Sequence, residues 1–140
     1  MKRRWVLRAG LVLAAFAVSL PGQNEADQEN AYDKLMKAAG ETVAEIKKSI
    51  ESDLPAAVSG AEKLSVLFDE VESFWINRDL DEPQLLSQDV MDAADELSEA
   101  ASEGERNAAL SAFTKMTAVC AQCHSTYREE LPDGSFRIRR

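Results

Sequence analysis

The sequence is poor in the residues that carry most metal and redox chemistry: among 140 residues there are one histidine and two cysteines. A single histidine rules out a bis-histidine haem site within one chain, an HExxH zinc site and most catalytic triads. Two cysteines cannot build a disulfide-rich scaffold. Cations are scarce as well, with 16 Lys and Arg against 25 Asp and Glu for a formal charge of −9. That balance argues against nucleic acid as a partner, because phosphate contacts need concentrated Lys and Arg. No alternating stretch rich in Val, Ile, Thr and Tyr reads as a strand. The length suits one domain with one core.

The one long apolar run lies at the start. Lys2, Arg3, Arg4 and Arg8 form a basic head, Ala9 to Leu20 are apolar, and Pro21-Gly22 breaks the run before Gln23-Asn24-Glu25. This is the order of a secretory signal peptide, expected over residues 1–22. Ala15-Phe16-Ala17 fits the small-x-small cleavage pattern but sits inside the run, which leaves the cut unplaced. An uncleaved anchor is the competing reading, but a span needs roughly 20 apolar residues, and Arg8 interrupts the only candidate. The expectation is export to a periplasm, with no membrane segment after processing. The leader holds four of the 16 cations and no acid, so the remainder carries 12 against 25, a charge of −13.

That remainder is rich in Ala, Leu, Glu, Lys and Ser, with apolar residues every three or four positions, the helical period. A first helix is expected over about 27–52, with Met36, Ala39, Val43, Ile46 and Ile50 inward. Asp53 would cap the next, with Pro55 in its first turn and Ala57, Ala61, Leu64, Phe68, Val71 and Trp75 as its stripe. A third follows Pro83 with Leu86, Val90, Ala94, Leu97 and Ala101 inward, and Gly104 marks the next turn. The fourth is expected over about 106–130 through Leu110, Phe113, Thr117, Cys120, Cys123, His124 and Tyr127. Four long helices with short loops predict an all-α, antiparallel up-down-up-down four-helix bundle over residues 27–131. Residues 132–140 read as a short basic tail, and the segment from Phe136 onward is expected to be disordered.

All three rare residues fall within Cys120-Ala121-Gln122-Cys123-His124. CxxCH is the spacing of covalent c-type haem attachment. Positions i, i+3 and i+4 share one helix face, so two thiols can meet the two vinyl groups of a porphyrin while the histidine reaches the iron. The rival readings fit less well. A disulfide across two residues of a helix distorts the backbone. A thioredoxin-type pair wants its first cysteine at a helix N-terminus. Zinc needs about four ligands, and three are in sight. One haem c, held by Cys120 and Cys123 with His124 as proximal ligand, is the expectation.

An exported helical bundle ending in Cys-Ala-Gln-Cys-His-Ser-Thr-Tyr-Arg resembles the class II c-type cytochromes, meaning cytochrome c-prime and its low-spin relatives. The resemblance spans roughly residues 27–131, but its specific part is 120–128, with a weaker match at Leu35-Met36-Lys37. It implies that His124 binds the iron and that Arg128 lies near the haem. It also implies a homodimer through the first two helices, as is frequent in the family. Tyr32 stands where the family usually has an arginine.

With the only histidine used, the sixth ligand is Met, Lys, water or nothing. If the turns near Asp53 and Gly104 share one end of the bundle, His124 lies about 20 residues above it, Met36 about 17 and Met91 about 13. At ~1.5 Å per residue Met36 is within ~5 Å of the histidine's level and Met91 ~10 Å below. Met36 is therefore the candidate distal ligand. The resemblance agrees, since low-spin members carry a Met there.

The leading expectation is a single-electron carrier and not an enzyme. Its acidic third helix (Asp89, Asp92, Asp95, Glu96, Glu99) is either a solvated face or a dock for basic redox partners. The alternative is a five-coordinate protein binding NO or CO, and a third reading is a helical module using CxxC as a thiol switch.

Overall fold

The computed structural model describes residues 21–139. Apart from Pro21 and Gly22, the leader lies outside the described residues. Those two belong to α1, which spans Pro21–Ser52 and so includes residues ahead of the expected Asp27; α2 spans Ala56–Ile76, α3 Asp81–Ser102 and α4 Arg106–Tyr127.

Cross-links show that each consecutive pair is antiparallel. Glu45 of α1 meets Lys63 of α2 at 3.7 Å, while the earlier Glu29 meets the later Arg78, just beyond α2, at 3.3 Å. Ser65 of α2 donates to Asp95 of α3 at 3.2 Å, and the later Glu72 accepts from the earlier Gln88. Lys115 of α4 reaches Glu96 of α3 at 2.7 Å, and Tyr127 reaches Glu82 at 2.6 Å. The chain is an up-down-up-down four-helix bundle.

Local chemistry sets the turns. Asp53 does not cap α2 with its side chain. Its carbonyl instead accepts from Ala56 N at 2.9 Å and that of Leu54 from Ala57 N at 3.0 Å, while Pro55 already has helical angles. A tight i→i+3 turn thus replaces the side-chain cap. Gly104, at φ 79°, takes the left-handed position after α3. Glu105 N bonds to Ala100 O and Gly104 N to Ala101 O, at 2.9 and 3.2 Å, the paired bonds that close a helix C-terminus.

The stripes of α2 and α3 are buried as the periodicity expects, from Ala57 to Trp75 and from Leu86 to Ala101. In α1, Ala39, Ile46 and Ile50 are buried, and Met36 and Val43 pack partly buried against them. In α4 the phase differs from expectation. Ala109, Ala112 and Met116 face inward, and Leu110 is 42 % exposed. Counting back from Cys120 in steps of four and three leads to Ala109, one residue before the leucine, and the small side chains let α4 approach its neighbours. Among the described residues no helix is long and apolar enough to cross a membrane.

The C-terminal segment is ordered, contrary to the disorder expected of it. β1 (Arg128–Glu130) pairs antiparallel with β2 (Phe136–Ile138), placing Arg128 opposite Ile138 and Glu130 opposite Phe136. Accordingly α4 stops at Tyr127 and not near Glu130. Asp133 Oδ1 accepts from Ser135 N and Oγ at 2.9 and 2.6 Å, and Gly134 takes φ 81°. Arg139 N then donates to Tyr127 O at 2.8 Å and ties the second strand to the end of α4.

Candidate functional site

Around the bundle, α1 and α4 touch only sparsely compared with the other neighbouring pairs. The seam between them opens into a cleft of about 710 Å³. Cys120, Cys123 and His124 line it from α4, and Tyr32, Met36, Lys37 and Val43 line it from α1. Phe68 of α2 forms part of its floor, and the β-hairpin contributes Arg128, Phe136 and Ile138. Met36 and the CxxCH residues thus share one cavity. Of the other described methionines, Met116 is fully buried in the core and Met91 does not line the cleft.

Both cysteines are free and half-buried. Burial pushes the Cys120 thiol above its ordinary value. Burial, and then Cys120 and Glu82, push Cys123 to about 11. Neither is a poised thiolate, since both lie at the C-terminal end of a long helix whose dipole disfavours anions there. His124 moves the other way, because burial and then Arg128 depress its pKa and favour the neutral imidazole. Neutral imidazole is the form with a lone pair for a metal. Among the described residues no three His, Cys, Asp or Glu side chains are grouped to hold a bare metal ion.

An aromatic cluster closes the upper end of the cleft. Tyr32 lies 4.2 Å from Phe74 and 5.5 Å from Trp75, and Trp75 lies 5.5 Å from Tyr127, centroid to centroid. Burial, and then Cys123, raise the Tyr32 hydroxyl's pKa well above the usual range, so it stays neutral. The Tyr127 hydroxyl donates to Glu82 Oε2. Arg128, at the cleft's rim, stands over the Phe136 ring at 4.1 Å from its centroid.

The sequence reading singled out Met36, Cys120, Cys123, His124 and Arg128, and the cleft holds all five. It missed the hairpin. The signal was present: Pro132-Asp133-Gly134 is turn chemistry, flanked by short runs that can pair. Phe68 was assigned to the core, and it serves both core and cleft.

Comparison with known proteins identifies the family. The model of the family described as Cytochrome C' matches residues 21–128. The chain therefore belongs to the cytochrome c' family, whose members bind haem c covalently. Its fold is similar to that of cytochrome c' from Thermochromatium tepidum, with a TM-score of 0.60 and 20 % identity over 71 % of this chain and 92 % of that one. A second similar structure is a cytochrome c' with an unusual ligand-controlled dimer dissociation. There the TM-score is 0.62 and the identity 16 %, over 81 % and 95 % of the two chains. Among curated protein sequences there is no match.

The residues present suit the family's cofactor. Pockets for organic ligands run to roughly 300–1,000 Å³, and the cleft lies within that range. Its walls are largely apolar, and two thiols and an imidazole from one helix face line it.

Proposed function

We propose that this protein is a periplasmic electron carrier, with haem c attached through Cys120 and Cys123 and the iron held between His124 and Met36. The observation that carries this reading is the presence of Met36 in the same cleft as the complete CxxCH triplet. Bound haem supplies an iron that gains or loses a single electron. The chain's residues do the rest. Cys120 and Cys123 fix the ring's position, and His124 is kept neutral for ligation by its half-buried setting. Met36 would offer the iron a thioether, which would raise the potential relative to a second imidazole. Phe68 and Val43 exclude water from the floor, and Lys37 and Arg128 at the rim offset the cofactor's carboxylates.

The protein so read is a carrier and not an enzyme, since its one imidazole is committed to iron. The exposed acids of α3 suit a basic redox partner, with Asp95 and Glu96 already engaged by Ser65 and Lys115. Pairing of two bundles through α1 and α2 is the corresponding proposal for assembly. The 66 % exposed Val66 on α2 supports it.

One observation favours a second reading, a five-coordinate protein that binds NO or CO. An apolar cavity of about 20 Å³ lies beside Met36, Phe68, Val90 and His124, room for about one water-sized molecule. Optical spectra of the haem-loaded protein in both oxidation states, with and without carbon monoxide, separate the two. The carrier shows six-coordinate low-spin spectra and resists carbon monoxide, whereas a high-spin ferrous protein that binds it at once supports the alternative.

A further inference from the structure

A member of this fold needs nothing beyond the end of α4 to complete four helices, yet this chain continues into a hairpin folded back over the cofactor cleft. Phe136 and Ile138 lie two residues apart on β2 and both line the cleft. Ile138 also packs against the core. The hairpin is held by its own ladder, by the Arg137–Glu129 ion pair at 2.9 Å and by the Arg139–Tyr127 backbone bond. Phe136 is 46 % exposed, and of the exposed large apolar side chains among the described residues it alone lines the cleft. An apolar ring left open toward an apolar cavity gains its burial from whatever fills that cavity.

The same ring fixes a cation. Arg128 makes no ion pair among the described residues and rests over Phe136 at 4.1 Å. It therefore stays at the rim with its charge available, where Arg137 is neutralised by Glu129.

We infer that the C-terminal hairpin is a wall of the haem site, with Phe136 as its positioning residue: its ring covers the cofactor and holds Arg128 at the rim for the cofactor's carboxylates. This rests on haem occupying the cleft as proposed above. A hydrophobic cover keeps water from the iron, which disfavours the more highly charged ferric state and sustains the potential.

The test uses haem-loaded full-length protein, unaltered and as Phe136→Ala and Phe136→Leu. Mass spectrometry confirms the covalent haem in each. The midpoint potential is expected to fall in Phe136→Ala, and reduction by a small neutral quinol to speed up several-fold. Phe136→Leu, which keeps an apolar cover, is expected to recover most of the unaltered potential and rate. A potential and rate that do not change in Phe136→Ala overturn the inference, as does an equal shift in Phe136→Leu. Absence of covalent haem from the unaltered protein overturns the cofactor assignment itself, and the inference with it.

Discussion

The two ends of the bundle are built on different plans. At the closed end, where α1 turns into α2 and α3 into α4, Ile46, Ala57, Leu64, Leu97 and Ala109 are each fully buried. The packing there is so close that a Cβ on Gly60 would come within 2.7 Å of Ile46 Cγ1. At the open end Tyr32, Met36, Cys120 and Tyr127 are only partly buried around a cleft. A single helix crosses both regimes. The inward positions of α4 are Ala109, Ala112 and Met116 below, and Cys120, Cys123 and His124 above. The closed end fills itself with side chains, while the open end keeps its chemistry on the walls of a space that side chains leave unfilled. The open end is nonetheless packed on its α2–α3 side, where Val71, Trp75 and Val90 are buried, so the unfilled space belongs to the α1–α4 side.

The largest effect that sharpens this contrast is expected from Cys120→Ser combined with Cys123→Ser. Covalent haem should be lost completely, measured as the mass of the denatured chain. Circular dichroism should still report a helical protein, because the closed end uses neither residue. Next come matched truncations in the cofactor-free protein. Leu97→Ala at the closed end should cost about 2–5 kcal/mol in urea unfolding, and Leu35→Ala, half-buried beside Met36 at the open end, less than about 2 kcal/mol. Equal costs would erase the distinction.

The smallest effect concerns pH. The hydrogen bond to Glu82, and then burial, push Tyr127 to about 12, against roughly 10 in an unfolded chain. The folded state therefore holds this proton longer than the unfolded one. The stability it contributes is complete below about pH 10 and is lost as pH rises through about 12. Exposure keeps the contribution small. Glu82→Gln should return the Tyr127 titration toward about 10, read as tyrosinate absorbance with Tyr127→Phe as the blank.

The sequence carried the helices well, because the inward stripes of α2 and α3 repeat at the helical period without interruption and are buried along their length. Phase was harder in α4, where alanines carry the inward stripe and a large Leu110 lies one position away. Periodicity weighs size, whereas packing between close helices selects small residues. The triplet from Cys120 to His124 was legible because the chain holds no other histidine or cysteine. The shape of the cleft was not, since it depends on how sparsely α1 and α4 touch and on a hairpin formed by residues distant from Met36 in the chain. Tyr32 illustrates the same limit. Its neighbours Phe74, Trp75 and Arg78 come from the far end of α2 and the turn beyond it, so its neutral, buried hydroxyl follows only from the assembled bundle.

The central claim is that Met36 faces His124 across the cofactor as the second ligand of its iron. The most direct measurement is the ferric optical spectrum of haem-loaded protein, unaltered and as Met36→Ala. The account predicts a low-spin spectrum that becomes high-spin on the substitution, with covalent haem retained. A high-spin spectrum that Met36→Ala leaves unchanged would contradict it.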